Sequence, residues 1–148
     1  MEMVRSLGAS PTPIAWGELY TALQQGVVDG AENNPPSFET SRHYEVCKYY
    51  SLDEHTTVPD LLLISYVVWK KLPDDVKKIV QGAANESMLY QKELWKKKTE
   101  QSMNIVKEAG VKVIYPKKSL FQKEVKAMHD KYKGTVKGGL LERIKKVR

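Results

Sequence analysis

The chain has 148 residues, the size of one ordinary domain, and its 41% hydrophobic and 28% charged content excludes disordered and fibrous classes. No run approaches the roughly 18 apolar residues that a membrane helix needs. The formal charge of +6 is unevenly placed: residues 1–90 carry 7 Lys/Arg against 12 Asp/Glu, and residues 91–148 carry 17 against 6. The basic half invites a nucleic-acid or acidic-partner reading. Lys dominates there, however, and recurs between apolar residues at helical spacing, as a solvated helix face does. The single Cys47 excludes an internal disulfide and reads as a buried, inert thiol.

Residues 1–7 read as the end of a helix, with Val4 and Leu7 three apart and Gly8 at the position that favours a left-handed residue. They hold no apolar stretch behind a basic head, so the chain is expected to be cytosolic or to lack its front. Ser10-Pro-Thr-Pro is a stiff connector. Residues 17–25 form a helix with Leu19, Ala22 and Leu23 on one face and Gly26 as its stop, and 27–30 read as a short strand ending in a turn. After the polar loop Glu32-Asn-Asn-Pro-Pro, Pro36 opens a short helix to about Tyr44.

Tyr49-Tyr50 and Leu61-Leu-Leu-Ile64 bracket a polar middle and predict two strands, the second buried on both faces because it does not alternate. Ser65 begins a short helix ending near Lys71. Pro73, Asp74 and Asp75 begin a much longer one, since proline suits the first turn and acids suit the positive helix end. It runs to Ala109 with Gly110 as terminator, about 55 Å in all, unless it is divided into two shorter helices. Residues 111–115 predict a strand. Ser119 precedes a helix using Phe121, Val125, Met128 and Tyr132, and a basic helix at about 140–147 closes the chain.

Enzyme and metal motifs are missing: no phosphate loop, no nucleophile elbow, no paired His or Cys spacing. His43, His55 and His129 are scattered and lack acid–base partners in sequence. Trp16, Asn33 and Asn34 sit in turns beside prolines and glycines, where a rigid scaffold presents binding residues. Amides offer donors and acceptors and Trp offers a flat apolar wall, which suits a polar organic ligand. The alternative is that the asparagines are turn formers and Trp16 is core.

The stretch Gly8-Ala-Ser-Pro-Thr-Pro-Ile-Ala-Trp16 through Gly26-Val-Val-Asp-Gly-Ala-Glu-Asn33 resembles the tripartite ATP-independent periplasmic (TRAP) transporter substrate-binding proteins. His43-Tyr-Glu-Val, Tyr50-Ser-Leu-Asp-Glu-His55, Lys71-Leu-Pro-Asp-Asp and Ala109-Gly-Val-Lys-Val follow that family in order. The resemblance implies an α/β chain forming the C-terminal portion of a two-lobed periplasmic-binding-protein-like fold, with one very long helix running along both lobes. Residues 1–52 would belong to the second ligand-binding lobe, 53–72 to a hinge-crossing strand and short helix, and 73–148 to the spanning helix and the C-terminal strand and helices. The signal peptide and most of the first lobe would lie outside this chain.

The function so implied is that of a periplasmic receptor, with no enzymatic activity and no cofactor, that closes around an organic acid anion and delivers it to membrane permease subunits. Asn33 matches the asparagine after the Asp-Gly-x-Glu turn, which bonds the ligand carboxylate or a neighbouring hydroxyl. Trp16 matches an aromatic wall of the pocket, His55 a histidine that meets the ligand through water in some members, and Asn34 is a further candidate. The family's clamping arginine has no counterpart here, and Arg5 is not it. A sugar acid and a four-carbon dicarboxylate both remain open. The competing reading is a cytosolic basic module binding RNA or an acidic protein through residues 91–148; the receptor reading implies no nucleic acid. Half a receptor is expected to self-associate through its unpaired surfaces.

Overall fold

The computed structural model describes residues 1–147. Its dominant element is set by Pro73-Asp74-Asp75. Pro73 caps the helix and the two acids sit in its first turn. The helix runs for 35 residues, Asp74–Glu108, as a single piece. At 1.5 Å per residue it is about 52 Å long, nearly the length that the sequence predicts. It stops where Gly110 adopts φ +84°, a left-handed conformation that L side chains rarely take.

In chain order the elements are α1 (Glu2–Ser6), α2 (Leu19–Gln24, entered through a 3-10 turn at Trp16–Glu18), α3 (Pro35–Thr40) and a 3-10 turn at His43–Glu45. They continue with β1 (Tyr49–Ser51), α4 (Tyr66–Trp69), α5 (Asp74–Glu108), β2 (Lys112–Ile114), α6 (Lys118–Glu124), α7 (Lys126–Asp130) and α8 (Val136–Lys145). β1 and β2 pair in a two-stranded sheet. The Lys112 N–H donates to Lys48 O and the Leu52 N–H to Ile114 O, both at 2.9 Å. Residue numbers rise together on both strands, so the pairing is parallel. Among the described residues no helix is long and apolar enough to cross a membrane.

The chain divides into two compact units. The first comprises Met1–Gly30, Tyr49–Thr56 and the C-terminal residues from Val113; the second comprises Ala31–Lys48 and Thr57–Lys112. The second unit is built where α3 lies on the C-terminal end of α5. Phe38 on α3 is 5% exposed, and Val106 on α5 and Val111 beyond it are 0% and 5%. Polar groups lie at the same junction. The Glu39 carboxylate accepts from Lys98 Nζ at 2.6 Å and from the fully buried Ser102 hydroxyl at 3.2 Å, so the buried hydroxyl has its partner. His43 is also buried, and this desolvation holds its imidazole below the ordinary histidine pKa, favouring the neutral ring.

The first unit gathers α1, α2, the sheet residues of β1 and the helices after β2. Glu2 on α1 pairs with Lys131 just past α7, and Glu54 pairs with Lys118 at the start of α6. Thr135 caps α8 by accepting from Gly138 N at 3.1 Å. Gly138 cannot be another residue without displacement: a Cβ there would stand 2.1 Å from the Tyr132 carbonyl oxygen.

Four expectations need correction. Residues 27–30 form no strand, because the Gly26 and Val27 N–H groups turn back onto Leu23 O and Ala22 O and close α2. The short helix from Pro35 ends at Thr40 rather than Tyr44; Arg42 takes φ 58°, and a separate 3-10 turn comes next. The helix after Ser119 is interrupted at Val125, giving α6 and α7, and Tyr132 lies beyond both. Residues 61–64 form no strand and are not buried: Leu61, Leu62 and Leu63 are 75–80% exposed and Ile64 48%. A run that is apolar on both sides needs cover on both sides, and no sheet partner for it occurs among the described residues.

Candidate functional site

Of the four residues singled out by the sequence, two fall in each compact unit. In the second unit, Asn33 and Asn34 stand together where the chain enters α3. The Asn34 backbone N–H donates to Asn33 Oδ1 at 2.9 Å, and Asn34 Oδ1 accepts from Ser37 N at 2.9 Å. Asn34 is therefore the N-cap of α3, with the two prolines of its first turn directly after it. This bond takes one lone pair of its carbonyl oxygen, and the amide nitrogen remains a donor. Asn33 is fixed by the same turn, and its Nδ2 is a donor suited to a carboxylate or hydroxyl oxygen.

In the first unit, Trp16 opens the 3-10 turn before α2 and is 54% exposed. It is not core, so its large flat face is held on a surface by the stiff Pro-Thr-Pro approach and by the Glu18 N–H bond to Ala15 O at 2.9 Å. His55 lies just past β1, and its Nδ1 faces both oxygens of Asp53, at 2.9 and 3.1 Å. Both side chains are mostly buried, at 17% and 21% exposure. A carboxylate so close is met by an N–H at Nδ1, which orients the ring.

Asp53 is the site-adjacent residue that the sequence reading missed. Its signal was available: residues two apart on an extended segment lie on the same side. Cys47 is half-buried, and burial pushes its thiol pKa up, away from reactivity. Among the described residues no group of three or more His, Cys, Asp or Glu could hold a metal. In the basic segment, Lys98, Lys118, Lys126, Lys131, Lys133 and Lys145 are each paired with a carboxylate of the chain, as a solvated face would be.

Each unit thus presents polar or aromatic groups at its surface, and the class of protein is given by comparison with known families. The model of bacterial extracellular solute-binding protein family 7 matches residues 1–135, and the chain belongs to that family. The solute-binding protein of Chromohalobacter salexigens is 38% identical over 133 residues, which are 89% of this chain and 40% of that protein. The sialic acid-binding periplasmic protein SiaP of Vibrio cholerae is 30% identical over 87% of this chain and 40% of its own length.

Among solved structures, the TRAP periplasmic solute-binding protein of Xanthobacter autotrophicus with bound β-D-galacturonate superposes with a TM-score of 0.88 at 38% identity, covering 99% of this chain and 50% of that one. The Pseudomonas putida protein with bound D-glucuronate gives a TM-score of 0.89 at 33% identity, covering 99% and 48%. The fold is thus that of a portion of a TRAP periplasmic binding protein, as the resemblance implied. The chain spans about half the length of the relatives it matches.

Proposed function

We propose that this chain is the C-terminal portion of a TRAP-type receptor that binds a sugar acid outside the cytoplasm and hands it to membrane permease subunits. It is a binding protein, not an enzyme. In this reading residues 1–52 belong to the second ligand-binding lobe, 53–72 to the hinge and 73–148 to the long helix and the C-terminal strand and helices. Trp16 forms an apolar wall, Asn33 donates to a carboxylate or hydroxyl oxygen, His55 meets the ligand directly or through water, and Asn34 adds an amide donor while capping α3. The observation that carries the reading is the agreement of fold over 99% of the chain with a galacturonate-bound receptor at 38% identity. It favours a sugar acid over a four-carbon dicarboxylate, although a C4-dicarboxylate-binding periplasmic protein of Rhodobacter capsulatus is also a relative, 37% identical over 59% of the chain. Among the described residues six lysines of the basic segment stand beside a carboxylate of the chain, the pattern of a solvated helix face, and no observation favours a module that binds RNA or an acidic protein.

Calorimetry with D-glucuronate, D-galacturonate, succinate and malate tests this. The chain alone should bind each weakly, because it supplies wall and amide contacts without an arginine fork. Micromolar affinity of the isolated chain would sink the half-site reading. In a receptor made whole with the missing lobe, uronates should bind more tightly than dicarboxylates, and Asn33→Ala should weaken uronate binding by about 1–3 kcal/mol, the cost of an unsatisfied buried partner. Unchanged affinity in that variant would mean that the pocket has been assigned to the wrong turn.

A further inference from the structure

The corner that follows β1 is held at three points, all within the first unit. The Leu52 N–H donates to Ile114 O at 2.9 Å, which fixes the end of the strand. Glu54 has φ 51°, a left-handed conformation that a residue other than glycine takes at a cost and that clusters at functional sites. Its side chain pairs with Lys118 at the start of α6. Around this turn Asp53 and His55 stand together, with His55 Nδ1 against both carboxylate oxygens. Both of these side chains are mostly buried, whereas Lys126, Lys131, Lys133, Lys145 and their carboxylates in the same unit are 37–74% exposed. Water competes little for the buried pair, so it keeps a geometry that surface pairs do not.

We propose that Asp53 is a positioning residue of the solute site, acting through His55 to make it an acceptor for a sugar hydroxyl. A ring nitrogen has one place for a hydrogen bond, and the place on Nδ1 is taken by Asp53, so a hydrogen bond between the ring and a solute is made at Nε2. In the neutral ring, whose one proton then sits on Nδ1, Nε2 is a lone pair and accepts from a hydroxyl. A neutral ring and a carboxylate together carry a negative charge, which repels a solute carboxylate. The group they select is therefore a hydroxyl, which a uronate has on several carbons and succinate lacks. Asp53 acts in telling sugar acids from plain dicarboxylates, not in holding the acid group. The inference rests on the receptor reading of His55 and adds to it both Asp53 and the direction of the hydrogen bond.

The test uses the full chain with isotope-labelled histidine at about pH 8, above the ordinary histidine range. The His55 signals are identified by their loss in His55→Gln. Nitrogen NMR should show the ring proton on Nδ1. In Asp53→Ala it should move to Nε2, where histidine in water prefers it, and in Asp53→Asn, whose amide oxygen accepts in the carboxylate's place, it should return to Nδ1. Titrated into the millimolar range, D-glucuronate and D-galacturonate should bind Asp53→Ala about three- to tenfold more weakly than the parent chain, the loss of one hydrogen bond, and succinate less than about twofold more weakly. Asp53→Asn should recover most of the uronate loss. A merely structural corner would weaken all three acids alike and leave the proton where it was. That result would overturn the proposal, as would a parent ring that is doubly protonated or carries its proton on Nε2, or an Asp53→Ala chain in which the proton stays on Nδ1. Spectra that answer to none of the acids, with the Nδ1 proton still dependent on Asp53, would count instead against the receptor reading and leave the orienting role of Asp53 standing.

Discussion

The two ends of α5 belong to one uninterrupted helix and one compact unit, yet they behave as different kinds of surface. At the C-terminal end, Ser102 and Val106 are wholly buried against α3, and the Glu39 carboxylate is held by Lys98 and Ser102. Toward the N-terminal end, Ile79, Met88, Leu89 and Tyr90 are 49–70% exposed although they are no less apolar. Helix propensity therefore does not distinguish packed from bare, and most helical stability comes from what an apolar face finds to pack on. The packed end holds this unit together, while the bare end meets no covering element among the described residues.

That difference is sharpened most by a pair of truncations. Phe38→Ala removes a ring that is 5% exposed at the packed end and should cost about 3–5 kcal/mol in urea unfolding. Leu62→Ala, at a site 78% exposed, should stay within about 0.5 kcal/mol in the isolated chain. Similar losses at the two sites would erase the distinction between the ends. A large loss for Leu62→Ala at high protein concentration alone would show that the bare face is already covered by self-association.

The polar side of the packed end should come next. Glu39→Ala leaves Lys98 without its carboxylate and the buried Ser102 hydroxyl without its acceptor, for about 1–3 kcal/mol. Lys98 is 40% exposed and recovers part of its solvation, so most of the cost falls on Ser102. A double-mutant cycle with Ser102→Ala checks this: the two losses should fall well short of adding. Additive losses would mean that the carboxylate acts elsewhere.

The same contrast explains what is legible in the sequence. The helix from Pro73 to Gly110, the start of α3 at Asn34-Pro-Pro and the strand at Lys112–Ile114 all announce themselves through local chemistry, and they form where expected. The run of residues 61–64 misleads because burial is a property of neighbours, and no strand among the described residues pairs with it. Asn33 and Asn34 are visible in sequence as turn residues, and the cap on Ser37 N gives Asn34 a structural role there. Trp16 is recognisable as an aromatic, while its exposure is not. The Glu39 contacts are invisible in sequence because Lys98 and Ser102 lie 59 and 63 residues away.

The smallest expected effect is a pH dependence that belongs to the packed unit alone. His43 is 4% exposed, and its burial sets its folded pKa below the ordinary value of 6.5, where the unfolded chain titrates. As pH falls through 6.5 the unfolded chain takes up a proton that the folded chain resists, so stability declines and levels off only once pH has passed below the folded pKa. Above 6.5 both states hold a neutral ring and no penalty exists. Urea midpoints should therefore drop between about pH 7.5 and about pH 5.5. His43→Gln, which cannot titrate, should flatten that slope even if it lowers stability at every pH. Carboxylates contribute little in this window, because the one markedly shifted, Asp130, is held by Lys126 and Lys133 down at about 2 and affects only far more acid solutions. A slope that survives His43→Gln would remove His43 from the pH response and from the reasons the junction of α3 and α5 is the firmer part of this chain.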